Sequence, residues 1–172
     1  MLSPQKQAGL TLIELIIGVV IVGIVLALAM PSYATWIQNT RLRNGAESIL
    51  TGLQFARAEA VRRNTNVSFT LGVGTAWTVG CNTVTATCPA TIQSHTAGDG
   101  ASAAVTVAMV AGGANPVIFS NLGRLTTAAT SFNIDNNQLS AANSRDLRVV
   151  VESGGTTRLC DPNVAAGDSR AC

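Results

Sequence analysis

The sequence predicts an α+β fold, a long N-terminal helix packed on an antiparallel β-sheet head. Three observations carry this expectation. An apolar run begins at Leu10 and is free of charge from Leu15 to Met30. An amphipathic helical stripe continues past it to Asn64. From Asn66 onward the periodicity changes to two, as in half-buried strands. One helix laid on antiparallel strands is the α+β arrangement.

As a helix, Leu10–Met30 would span roughly 30 Å, the thickness of a bilayer's hydrocarbon core. Gly18 and Gly23 weaken helices in water but are tolerated in lipid. One carboxylate, Glu14, is set into the start of the run. At mid-membrane such a group costs roughly 2.5–3.5 kcal/mol, less near the interface, so it marks a functional site. Two general readings leave Glu14 unexplained. One is a secretory signal with Lys6 in its charged region and Ala27-Leu28-Ala29 as the cleavage site; the other is a plain membrane anchor.

Beyond Pro31, the residues Leu42, Ala46, Ile49, Leu53, Ala56 and Ala60 recur at spacings of four and three. That is one helical face, predicted to pack on the head and to leave the membrane half as a stalk. Arg57 and Glu59 fall off the stripe, with Glu59 in reach of Arg62 or Arg63 one turn on. Pro31 and Gly45 predict bends, and Asn64 predicts the helix end.

Val67, Phe69 and Leu71 alternate with Ser68 and Thr70, and Trp77 and Val79 flank Thr78. Further strands are expected over Ala104–Val110, Val117–Ser120, Ser131–Ile134, Leu147–Glu152 and Thr156–Leu159, with a hairpin turn at Ser153-Gly154-Gly155. Segment 81–101, rich in Thr, Ala, Gly and Ser, reads as a loop.

At 172 residues the chain holds one modest domain beyond the apolar run. A net charge of +2 announces no partner. Lys6 is the only lysine, so the remaining basic side chains are arginines, suited to planar recognition of carboxylate or phosphate. The four cysteines lack the spacing of structural zinc sites. Beyond an export segment their even number favours disulfides, and three connectivities are open. Local pairing, Cys81 with Cys88 and Cys160 with Cys172, is expected among them. The sequence carries no nucleophile elbow, P-loop or metal-binding histidine pair. The single histidine, His95, reads as a solvated loop residue. No enzymatic activity, metal or cofactor is expected.

Gly9-Leu10-Thr11-Leu12-Ile13-Glu14 resembles the processing site of type IV pilin-like proteins. The resemblance implies that prepilin peptidase cuts after Gly9 and methylates Leu10, which stands where phenylalanine is usual. Glu14 becomes the fifth residue, a glutamate in the family, and Pro31 matches a helix-kinking proline. Cleavage creates an amine at Leu10 that Glu14 of a neighbouring subunit can neutralise in a filament core, lifting a penalty each charge bears alone. The chain then divides into a leader at 1–9, a transmembrane and filament-core helix at 10–30, the amphipathic half at 31–64 and a β-rich head at 65–172 with a disulfide-closed tail.

Other fragments resemble the FimT/GspH branch of that superfamily. These are FARAEAVRRN at the helix end, GTAWTVGCN on an early strand, the Phe119-to-Arg124 turn IFSNLGRLT, the closing hairpin VVVESGGTTRLCDP and the tail DSRAC. The resemblance implies a FimT-like minor pilin in the inner membrane with a periplasmic head, later in a pilus, its partners other pilins and prepilin peptidase. FimT-type proteins are associated with DNA uptake through a Gly-Arg-x-Arg motif. The matching stretch here is Gly155-Thr156-Thr157-Arg158, which keeps the second arginine and replaces the first by Thr156. Arg145, Arg148 and Arg170 would join Arg158 in a DNA contact if the fold gathers them, since phosphates need only positioned cations. Asp146, Asp161 and Asp168 nearby offer Arg158 a salt bridge instead. The alternatives are an H-type pseudopilin of a type II secretion system, partnered by pseudopilins, and a secreted periplasmic binding module starting at Met30.

Overall fold

The computed structural model describes residues 11–172, so the Gly9–Leu10 junction lies outside the described residues. One helix, α1, runs over Leu12–Arg63. The chain divides between Trp36 and Ile37 into two compact units.

In the N-terminal unit, helix initiation is written into the motif itself. Thr11 Oγ1 accepts the Glu14 main-chain N–H at 3.3 Å, and the Leu15 N–H bonds the Thr11 carbonyl at 3.2 Å. Thr11 is thus an N-cap with Glu14 at the third helical position, the Thr-x-x-Glu order of a capping box. The large apolar side chains from Leu12 to Met30 are all more than half exposed. The helix continues through Pro31, and the Thr35 hydroxyl donates to the Pro31 carbonyl at 3.1 Å.

In the unit from Ile37 on, the predicted stripe is buried without exception: Leu42, Ala46, Ile49, Leu53, Ala56 and Ala60 are inaccessible to solvent. Burying each leucine or isoleucine contributes about 1.5–3 kcal/mol. Gly45 is a close-packing position. A Cβ there would meet Thr75 Cγ2 at 2.9 Å, and one on Gly52 would meet the Phe69 and Trp77 rings at 2.8 Å. Asn64 ends the helix in the left-handed region at φ 51°. The Thr65 N–H reaches the Ala60 carbonyl and the Asn64 N–H that of Val61, the Schellman pattern.

Eight strands follow: β1 Val67–Leu71, β2 Trp77–Cys81, β3 Gln93–His95, β4 Val105–Met109, β5 Val117–Phe119, β6 Thr130–Asn136, β7 Leu147–Val151 and β8 Thr157–Cys160. They form two four-stranded antiparallel sheets, β3-β2-β1-β5 and β4-β6-β7-β8. Phe69 of the first meets Phe132 of the second edge-on, centroids 6.1 Å apart, so both sheets share one core with the helix stripe.

Three expectations are corrected. Segment 81–101 is not all loop, because its Gln93–His95 adds an edge strand to β2. His95 is not a solvated residue: its ring stacks on Trp77 at 5.6 Å, and its buried Nδ1 has no hydrogen-bond partner among the described residues. Glu59, read as falling off the stripe, is buried. It lies next to Ala60 on the packed face, and Arg62 and Arg63 reach it at 2.6 and 2.7 Å. The Arg62 hydrogen bond, opposed by burial and helped by Arg63, holds its carboxyl below the ordinary range.

Cys81 is bonded to Cys88, with Cα atoms 5.7 Å apart, and Cys160 to Cys172 at 5.1 Å. Arg63 also donates to the Thr87 carbonyl at 2.6 Å, tying the first disulfide loop to the helix end. Behind that loop, Ala90 crosses β2 so closely that a Cβ on Gly80 would collide with its carbonyl oxygen.

Gly52→Ala tests the close approach of helix and rings. The added methyl gains up to about 1 kcal/mol of helix propensity, but overpacking costs about 1–3 kcal/mol. Urea unfolding should therefore show a less stable head, whereas a gain in stability would mean the rings have room to move.

Candidate functional site

The first site is the start of α1. The Glu14 side chain is exposed at the third helical position, where the positive end of the helix dipole favours a carboxylate. Among the described residues it makes no ion pair or side-chain hydrogen bond. Its surroundings from Leu15 to Met30 are apolar and exposed. A lone acid on such a surface is suited to receive a cation brought by another molecule.

The second site is the closing hairpin with its tail. β7 and β8 pair so that Arg148 stands opposite Cys160 and Val150 opposite Arg158. In an antiparallel pair this puts Arg148 and Arg158 on one face, diagonal neighbours about 7–8 Å apart. The tail joins them where the Asp161 N–H bonds the Arg170 carbonyl at 2.7 Å. The fold therefore brings Arg148, Arg158 and Arg170 to one region.

Each of the three is engaged within the head. Arg158 donates to the main-chain oxygens of Ala171 at 3.3 Å and Cys172 at 2.9 Å, and its Nε lies 3.7 Å from Glu152. Its acidic partner is thus Glu152, across the turn, rather than Asp146, Asp161 or Asp168. Arg170 holds Asp168 through two guanidinium contacts at 2.8 and 3.1 Å, and Arg148 donates to Asn133 at 2.6 Å. Arg145 is anchored by its main-chain N–H on Asn39 Oδ1 at 2.9 Å, leaving its guanidinium exposed. The hairpin and the Cys160–Cys172 bridge together clamp the tail, with Arg158 as the bolt.

A third arrangement was not foreseen. Three of the sequence fragments converge on Gly123: Arg57 Nε donates to its carbonyl at 3.1 Å, and Gly155 packs against the same oxygen. The Leu125 N–H bonds the Ser153 carbonyl at 3.2 Å. Gly155 is at φ +82°, and a Cβ there would stand 1.9 Å from the Gly123 oxygen. The turn glycines hinted at this, but nothing in the sequence pairs them. Beside Arg148 a small cleft lined by Asn133, Asp135, Asp146 and Asn163 encloses about 210 Å³. That is below the roughly 300–1,000 Å³ usual for small-molecule sites.

Gly155→Ala should be strongly destabilising in thermal unfolding, since it strains the backbone and forces the turn at Gly123 away; a neutral result would separate the two turns. Arg170's side-chain and main-chain hydrogen bonds draw the Asp168 carboxyl from 3.8 to about 2. With a depressed folded value, the pair stabilises the tail above 3.8 and is lost as pH falls through about 2. NMR titration should place the Asp168 midpoint near 2 and return it toward 3.8 in Arg170→Ala; a midpoint of 3.8 in the unaltered chain would mean the pair is not formed.

Residues 45–155, more than half of the chain, match the family described as type II transport protein GspH, and residues 4–30 match the prokaryotic N-terminal methylation motif. No curated protein sequence matches significantly. Among solved structures, the type IV minor pilin FimU of Pseudomonas aeruginosa is similar with a TM-score of 0.56 at 20% identity, over 73% of this chain and 92% of that one. The minor pseudopilin EpsH from the type 2 secretion system of Vibrio cholerae follows at 0.55 and 17%, over 72% and 99%. At these identities the likeness concerns the fold, a long N-terminal helix packed on antiparallel sheets. With the methylation motif at one end and the matched head at the other, the chain belongs to the family described as type II transport protein GspH.

Proposed function

We propose that the chain is a FimT-like minor pilin, held in the inner membrane by the α1 span with its head in the periplasm and drawn into a type IV pilus through that span. The observation that carries this reading is Glu14, an exposed carboxylate in the first turn of a helix whose next charge is Arg41. Cleavage after Gly9 would leave an amine at Leu10, and its neutralisation by Glu14 of a neighbouring subunit gives the acid a use. Both charges then leave water as a pair, which is far cheaper than leaving it singly. The bridged tail, Cys160 to Cys172, supports the pilus side because DSRAC resembles FimT tails. An H-type pseudopilin shares the architecture and differs in the machine it joins.

The arginines favour an assembly role for the head over DNA contact. Arg158 and Arg170 already serve Glu152, the tail carbonyls and Asp168. Binding phosphate through them would mean giving up those partners.

Mass spectrometry of sheared filaments from the native host tests the reading. An N-methylated Leu10 peptide is expected in that fraction, and Glu14→Ala should keep the processing but lose incorporation. Processed chain confined to membranes would favour the secretion machine. A chain starting at Met30 would overturn the pilin reading, and normal incorporation of Glu14→Ala would remove the charge pairing.

A further inference from the structure

Aromatic residues make up only 4% of the chain. In the head, Phe69, Trp77, Phe119 and Phe132 are buried and Phe55 is partly so. The exposed rings are confined to one turn of α1, where the single tyrosine, Tyr33, and one of the two tryptophans, Trp36, are 62% and 61% exposed. Three positions apart, they share a helix face, and their rings stack at 5.8 Å.

Their place along the helix is specific. Before them lies the exposed apolar run ending at Met30; after them come Gln38, Asn39, Thr40 and then Arg41 and Arg43. Tyr33 follows Glu14 by nineteen positions, about 28 Å of helix against a hydrocarbon core of about 30 Å. With Glu14 at one boundary of a bilayer, the rings fall at the other. Tyrosine and tryptophan concentrate at that level, where an apolar ring meets acyl chains and its polar edge meets headgroups.

We infer that Tyr33 and Trp36 form an interfacial anchor, seating the helix at a defined depth by binding the headgroup–acyl boundary of the lipid bilayer before assembly. This rests on the membrane-held subunit proposed above. The anchor resists sliding in either direction, since moving the rings outward exposes them to water and moving them inward strips their polar edges of partners. It thereby keeps Glu14 at the opposite boundary.

The test uses the full chain in vesicles of phosphatidylethanolamine and phosphatidylglycerol carrying brominated acyl chains, with bromine either shallow or deep. The emission lost between the unaltered chain and Trp36→Phe reports Trp36, with Trp77 as a common background. Shallow bromine should quench that difference signal more than deep bromine does. Stronger quenching by deep bromine would overturn the anchor. Protein that floats with the vesicles but leaves Trp36 unquenched would also overturn it, and would give the rings to a neighbouring pilin helix. Failure to float at all would remove the anchor together with the membrane reading.

Discussion

The head depends on how closely one face of α1 approaches the sheets. Leu42, Ile49 and Leu53 supply the apolar bulk, but Gly45 and Gly52 set the distance. Without side chains at those positions, Thr75, Phe69 and Trp77 lie directly on the helix backbone. The small residues Ala46, Ala56 and Ala60 extend the same flat surface. Phe69, pressed on Gly52, in turn meets Phe132 of the second sheet. Helix-to-sheet and sheet-to-sheet packing are therefore one contact chain, and its first link is a missing Cβ.

Polar groups then fix what apolar packing leaves loose. Glu59 gathers Arg62 and Arg63, and Arg63 continues to Thr87, so the end of the helix and the first disulfide loop move as one piece. Near the other end of the packed helix, the Asn136 amide donates to Gln38, and Asn39 holds the Arg145 N–H. Asn136 is almost wholly buried, and a buried amide of this kind is tolerable only because its partners are in place. Arg158 plays the same part for the tail. In each case a polar side chain fixes geometry.

Much of this was legible in the sequence, for physical reasons. The stripe from Leu42 to Ala60 is helical because its spacing is helical, and strands such as β1 and β7 alternate because one face is covered. The Gln93–His95 strand escaped notice because it is a short edge element whose residues carry no apolar alternation. Its His95 stacks on Trp77, a contact between elements that no local pattern reveals. Periodicity also says which side of a strand is buried without naming its neighbour, so the division into two sheets could not be read. The same limit applies to Arg158: the nearby aspartates looked like partners along the chain, whereas the hairpin brings Glu152 across to it. The spacing put Arg62 and Arg63 within reach of Glu59, but periodicity alone placed the residue off the packed stripe, whereas it is buried beside Ala60.

The junction at Gly123 has a consequence for how such a head can diverge. Its contacts are made largely with backbone: a carbonyl receives Arg57, the same carbonyl abuts Gly155, and an N–H meets the Ser153 carbonyl. Beyond Arg57 and the bare Cα of Gly155, the joint asks little of the side chains around it. Thr156 projects from the hairpin without supporting the joint, so exchanging it alters the outer surface and leaves the contacts at Gly123 intact. A lineage can rewrite the chemistry of the hairpin's exposed tip while the joint beneath keeps its shape.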